Sequence, residues 1–542
     1  MLVTVLSILL SIFRPPVDYD ISLAGNFGEP RPHHFHGGLD IRTGGVEGKP
    51  ICAIGDGYVS RVTCGLYGFG NAVYITHPTG QTSIYCHLKS FSPRIKAALR
   101  RYQYEHQTSV ADAVFSPLEL PVSQGQHIAL SGNTGHSTAP HLHLEIRDTR
   151  TWDMLDPYEF LSDFINDTIP PRAHGFMACP QDRHSSFCGS SRNQTFGFAN
   201  RKQPARFMAW GRVGFALCAD DYMQDSPNHY GIRETHLLVD GREVFSSRVD
   251  RIPDAHNRMV NSWGDYDHWQ RHRVWYMRSY IEPGNTLPIL TADERRGIVD
   301  FCEERDYQVE YILRDYQGNE ARYAFTVKGV PSAGAATDEQ HDGQTLFRWD
   351  QTNSYSVPGM QLIVPYGLLA NDVWLQPQVK SNNQLDALSD AYTFNSRSLP
   401  LLSAATLSIS VQSPVEDPSK LYIASGGSFM GGDYEEGWVR GQLRELGAWY
   451  QLDYDDEPPQ ISPVSLDTQL VLNVTDAKSG IATWTATVDG RFIVFDAVEK
   501  THRYACDLRE TWLSPSGSRH RLLFTATDNR QNSQTYEATF TY

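Results

Sequence analysis

Residues 141–147 read HLHLEIR, and the alternation within them decides the fold. Leu142, Leu144 and Ile146 take every second position, the period of a β-strand with one buried face. The positions between them are His141, His143 and Glu145, which a strand projects together to the opposite side. Two imidazoles and a carboxylate therefore converge without any tertiary assumption.

Working outward, short strand-like runs separated by Gly-rich turns occur at 57–64 (GYVSRVTC), 71–77 (NAVYITH), 82–88 (TSIYCHL) and 127–132 (HIALSG). They predict a compact antiparallel sheet between about 24 and 161. One helix interrupts it: Ser92 and Pro93 form an N-cap and N1 pair, with Ile95, Leu99 and Tyr102 at helical spacing behind them. The aperiodic segment from there to Val122 is expected to form a lid or wall beside the site.

A second His-x-His pair, His34-Phe35-His36, lies in the same region, with Asp40 four residues after His36. With 20 His in 542 residues, chance supplies about 0.7 such pairs, so two in one small region are informative. Hydrolytic zinc takes three ligands from imidazole and carboxylate and keeps a fourth position for water. His36, Asp40 and one histidine of the 141/143 pair make that set, and the other histidine is free to take a proton from the water. His87, ending a predicted strand, is available to stabilise an oxyanion. His33, His34, His77, His106 and His127 are read as ordinary surface or core histidines; His136, beside the Gly-rich turn, is read the same way, with substrate contact the lesser alternative. His268 and His272 would share a face only on a helix, which nothing nearby supports, so they too are read as surface residues.

Three blocks occur in order: Phe35-His36-Gly37-Gly38-Leu39-Asp40; Gly70-Asn71 leading through Val73, Ile75 and His77 to Tyr85-Cys86-His87-Leu88; and Gly132 to Ile146 with its HLHLEI ending. Together they resemble the lysostaphin-like, or LytM-type, zinc peptidases, over residues 24–161. The resemblance implies one zinc per chain on His36, Asp40 and His143, with His141 and His87 acting in catalysis. It implies hydrolysis of peptide cross-links in the stems or bridges of peptidoglycan. Cys86 stands where a small residue is common, and 88–124 is longer than in compact members. The opening GNFGEPRPHHFHGGLDI is similar to exported envelope proteins of Gram-negative bacteria, which places the chain in the periplasm or envelope.

The remainder bounds this reading. A net charge of -16 argues against a nucleic-acid or anionic-membrane partner. Residues 1–23 begin with an apolar run too short to span a bilayer and are read as a signal segment. Eight cysteines include no Cys-x-x-Cys pair; Cys179 and Cys188, around a short polar loop, are expected to pair, and Cys52, Cys64 and Cys86 to be free. Past a peptidase domain at 24–163, β-branched and aromatic runs predict two to three β-sandwich (Ig-like) modules: a β-sandwich at 164–330, a β-rich module at 331–455 and an Ig-like sandwich at 456–542, divided by linkers at 330–343 and 453–463. Asp315-Tyr316-Gln317-Gly318-Asn319 and Asp528-Asn529-Arg530-Gln531-Asn532 echo one another before aromatic-rich strands; turn chemistry explains them more cheaply than a calcium loop. These modules are not needed for chemistry and are expected to hold the enzyme on the envelope or on a partner there. The competing readings are a silent LytM-type regulator or envelope-binding scaffold, and a zinc protease acting on proteins.

Overall fold

A computed structural model describes residues 13–65, 67–198, 206–224, 226–331, 341–498 and 500–542. The described chain is predominantly strand. The first sheet runs, in spatial order, Leu23–Gly25, Gly38–Arg42, His141–Asp148, Gln81–Cys86, Ala72–Thr76, Gly57–Cys64 and Ala111–Val114, with every neighbouring pair antiparallel. Leu142, Leu144 and Ile146 are completely buried in its core, each contributing about 1.5–3 kcal/mol relative to exposure. The opposite face of that strand carries the histidines. Register then completes the argument begun by alternation: His143 pairs with Asp40 on one side and with Cys86, one residue before His87, on the other.

The helix Pro93–His106 starts at Ser92 with Pro at N1 and buries Ile95, Ala98 and Leu99. The segment after it forms part of a wall, not a lid, with Ser109 and Val110 bordering the groove that His136 lines. Ala111–Val114 and Pro121–Val122 both pair onto Gly57–Cys64, at the far edge of the sheet from His143, because alternating Ala111 and Ala113 are buried there.

Residues 13–23 belong to this first core in the structure. Phe13, Val17 and Leu23 are buried within it, so the latter part of the stretch read as a signal segment packs as structure; residues 1–12 lie outside the described ones. Met223 and Tyr230 enter the same core from much farther along the chain. Tyr230 donates its hydroxyl to the Leu23 carbonyl (3.0 Å), and Gly231 clasps the Asn26 side chain through its N–H and its carbonyl (both 2.9 Å).

Beyond this domain lies a 12-stranded sheet over Arg172–Gly329, whose core also takes in Phe27, Phe35 and Met154 from the first. Two five-stranded sheets then enclose the core around Leu362, Leu407 and Leu452, and two four-stranded sheets that around Leu472, Trp484 and Phe524. Most of the expected 330–343 linker lies outside the described residues. The last four-stranded pair reaches back to the first domain: Arg100 pairs with Asp496, Lys96 approaches Glu510 (2.5 Å), and the Phe495 N–H donates to Ser109 (3.2 Å).

Two expectations are corrected. Cys179 and Cys188 do not pair, and all eight cysteines are free: Cys179 is enclosed with Met177, Ala216 and Tyr280, whereas Cys188 is exposed in a left-handed turn. His268 and His272 do lie on a helix, Tyr266–His272, because Asp265 caps it by accepting from the His268 N–H (2.9 Å). Their rings stand 4.5 Å apart, but no third ligand joins them among the described residues.

Candidate metal and catalytic centre

His36 follows a two-residue strand, Asp40 lies mid-strand in Gly38–Arg42, and His143 sits beside it in register. Their side chains meet. His36 Nε2 is 2.9 Å from Asp40 Oδ1 and 3.0 Å from His143 Nδ1, and His143 Nδ1 is 2.8 Å from Asp40 Oδ1. All three residues are buried.

The outer nitrogens fix the tautomers. His36 Nδ1 faces the Asn26 carbonyl at 2.5 Å, so it carries the proton and Nε2 turns a lone pair inward. His143 Nε2 faces Glu145 at 3.1 Å and likewise carries the proton, leaving Nδ1 as the inward lone pair. Glu145 is held in turn by Arg147 (2.7 Å), and Arg147 by Asp254 (2.8 Å). Two imidazole lone pairs and a carboxylate oxygen therefore converge on one point, an arrangement that repels itself unless positive charge sits among them. In the metal-free protein a proton supplies it: burial disfavours charge on His143, but the hydrogen bonds to Asp40 and Glu145 win and push its pKa up to about 9. Burial also opposes ionisation of Asp40, yet its neighbours His36, His141 and His143 hold its carboxyl well below the usual range.

A metal cation answers the same need. Two donors ~2.0–2.1 Å from a tetrahedral centre stand about 3.3 Å apart, close to the separations found. The N, N, O set is that of hydrolytic zinc, so the donor chemistry fits. The second oxygen of Asp40 is engaged by Arg31 (2.8 Å), which leaves Oδ1 to face the centre.

His141 and His87 border this cluster, their rings 4.9 Å apart. His141 Nδ1 lies 2.8 Å from the Ala139 carbonyl, and its Nε2 lies 3.3 Å from Asp40 Oδ1, so an unprotonated nitrogen faces the centre. His87 Nδ1 lies 2.7 Å from the Thr134 carbonyl, so its Nε2 is also an acceptor when the ring is neutral. Burial, then the charges of His143 and His141, lower the His87 pKa to about 3. Its backbone is left-handed (φ 59°), a conformation a non-Gly residue keeps only where its surroundings impose it. The surroundings are visible. Thr134 is locked by Gly70 and Gly135, where an added Cβ would stand 2.3 Å from Thr134 Oγ1 and 2.4 Å from the Gly68 carbonyl, respectively. This accounts for the Gly70-Asn71 and Gly132–Gly135 blocks.

All five residues singled out in the sequence thus lie in one place. His77 is buried on Asp56 and Ser83 (both 2.8 Å), His34 is exposed, and His136 borders a groove with Tyr67, Trp484 and Tyr504. Sequence reading missed Arg31, Asn26 and Thr134. Asn26 and Thr134 act through main-chain carbonyls, which no residue type announces, and a lone Arg31 carries no periodic signal. Glu145 was legible, because it shares the face of His143.

Residues 34–104 match Peptidase family M23, and residues 344–455 match the Zu5-like domain. An uncharacterized metalloprotease of Haemophilus influenzae is 35% identical over 118 residues, covering 22% of this chain and 19% of that one. The peptidoglycan DD-endopeptidase ShyA of Vibrio cholerae is 32% identical over 139 residues, covering 24% and 26%. A solved zinc-containing peptidase from Vibrio cholerae is 28% identical, covering 27% of this chain and 39% of that one with a TM-score of 0.20. The chain thus spans about a fifth to a quarter of the length of the curated relatives it matches.

Proposed function

We propose that this protein is a zinc-dependent endopeptidase that hydrolyses peptide cross-links of peptidoglycan in the envelope of a Gram-negative bacterium. The observation that carries the reading is the meeting of three lone-pair donors, His36 Nε2, Asp40 Oδ1 and His143 Nδ1, beside two imidazoles whose protons are held on their outer nitrogens. His36, Asp40 and His143 hold one zinc ion per chain. Bound zinc lowers the pKa of water toward ~7 and polarises the scissile carbonyl.

His141 takes the proton from the attacking water at Nε2 and passes it to the leaving amine as the C–N bond breaks, its tautomer kept in place by the Ala139 carbonyl. His87 holds the tetrahedral oxyanion. Its neutral tautomer has no proton on Nε2, so to donate there it takes one from solvent as substrate binds, and the arriving negative charge offsets the burial that disfavours the imidazolium. Arg31 keeps Asp40 from rotating away from the cluster. The peptidase domain spans 24–163, and a β-sandwich at 164–330, a β-rich module at 331–455 and an Ig-like module at 456–542 position it on the envelope or a partner there, after export directed by the N-terminal segment. Relatives named as peptidoglycan endopeptidases support the substrate class.

The test is digestion of purified sacculi by zinc-loaded protein and by His141→Ala, with fragments identified by mass spectrometry. Cross-linked dimers should disappear with the unmodified protein, and His141→Ala should be slower by about 10²–10⁴-fold while retaining zinc. Intact sacculi with both, or cleavage of casein in their place, would sink the reading.

A further inference from the structure

Away from the histidines, two groups of three aspartates gather their carboxylates within 4.8 Å: Asp167, Asp221 and Asp315, and Asp455, Asp476 and Asp528. They are built alike. In each, the first Asp stands in the connection entering a module: Asp167 just before the strand Arg172–Pro180, and Asp455 just after Tyr450–Tyr454 and before Gln460–Leu466. The second ends or follows a strand of that module, Asp221 in Arg206–Tyr222 and Asp476 after Gln469–Thr475. The third opens the repeated Asp-x-x-x-Asn turn, whose Asn returns to the first: Asn319 donates to the Asp167 carbonyl (3.3 Å) and Asn532 to the Asp455 carbonyl (2.8 Å).

Turn chemistry explains part of this. Asp315 accepts from Asn319, and Asp528 from Arg530 and Asn532. It does not explain why three carboxylates are brought together, twice, with every member but the half-buried Asp476 out of water. Asp167, Asp221, Asp315, Asp455 and Asp528 are 6, 3, 4, 0 and 0% exposed. Nor does it satisfy every polar atom. Asp221 Oδ1 is buried with no hydrogen-bond partner. In the second cluster the Ser479 N–H donates to Asp455 (3.1 Å), yet the Ser479 hydroxyl, on a residue 4% exposed and not itself part of the acidic group, has no partner either. A cavity of about 20 Å³ borders Asp167 and Asp221, room for one water-sized occupant. Arg233 lines it too, but is committed to Asp156 (2.9 Å) and Glu159 (3.3 Å).

We propose that each aspartate cluster binds a calcium-class divalent cation that clamps the entering connection to its module. The donors shown are all carboxylate oxygens, which selects a hard cation over zinc. A carboxylate oxygen that already accepts one N–H keeps a second lone pair for the ion. Flexible six- to eight-fold coordination suits calcium better than magnesium, which demands a near-ideal octahedron. The alternative is that protons neutralise the clusters, since burial and the neighbouring carboxylates push Asp221 up to about 9.

The test uses full-length protein passed over a chelating resin, reloaded with one equivalent of zinc, and dialysed against CaCl₂ with bound metal counted. Two calcium ions per chain are expected, with dissociation constants below about 1 mM. The unfolding midpoint should rise with CaCl₂ and stay put with NaCl at equal ionic strength. Asp221→Ala and Asp476→Ala should each bind one ion fewer, with unchanged near-ultraviolet dichroism. No calcium bound to the unmodified chain at about 10 mM, or two ions still bound by both variants, would overturn the proposal, and the first result needs no variant to fold.

Discussion

The histidine cluster and the aspartate clusters bring three metal-capable side chains together by different means. Asp40 and His143 face each other across one pair of strands, so strand alternation plus register nearly builds that site. Asp167, Asp221 and Asp315 come from a connection, a strand end and a hairpin far apart in the chain, and only the module's tertiary packing assembles them. A site encoded in a strand is compact and nitrogen-rich, and it has second partners that hold each ring. One encoded in loops is all oxygen and borrows its order from turns. In the roles proposed above, the first activates water and the second fixes one module on the next.

The sharpest way to break this contrast is metal selectivity. His143→Ala should take zinc from one per chain to near zero and abolish cleavage while leaving calcium binding untouched; a variant that loses both metals would show that the sites are not separate. Next in size is Glu145→Gln, which weakens the hold on the His143 proton. It should lower zinc affinity by about 10–100-fold in chelator competition, with the sheet intact by circular dichroism. Smaller still is Asn26→Ala, which keeps the carbonyl on His36 but loses the clasp of Gly231. Zinc affinity should fall several-fold, and affinity equal to the unmodified protein would mean that the clasp is irrelevant to the site.

The subtlest difference lies in pH. His77 and His87 are held neutral by burial, so between about pH 6.5 and their lowered folded values the unfolded chain binds more protons. That end of the molecule should lose stability as pH falls through this window. Asp167 and Asp221 run the opposite way. Burial and neighbouring carboxylates raise them to about 6 and 9, so between about pH 4 and those values the folded state holds the extra protons. Calcium-free protein should therefore also lose stability as pH rises there, and added CaCl₂ should remove that slope. Chemical-denaturation midpoints from pH 4 to 9 with and without CaCl₂ measure both arms.

Much of the first domain was legible because its strands alternate cleanly: the runs at 57–64 and 127–132 and the helix after Ser92 stand where pattern and capping put them. The five clustered residues were legible because two share a strand face and the others fall in recognisable blocks. What escaped depends on information that periodicity does not carry. Asp265 caps a helix too short to show a period, the 111–122 segment pairs through two-to-four-residue strands, and Cys179 turned inward to an apolar pocket. The Asp-x-x-x-Asn echo was visible, but its partners Asp167, Asp221, Asp455 and Asp476 were not, since nothing local ties them to it.

The clasp between Gly231 and Asn26 also sets a timetable. The Asn26 carbonyl orients His36, and the Asn26 side chain is gripped by a residue about 200 positions later. At ~5–20 residues per second, a ribosome that has released His36 needs roughly 10–40 s more to deliver Gly231. Even after His143 has followed, about 88 residues before Gly231, the histidines lack the staple that aims one of them, so their cluster is among the last features of its own domain to mature.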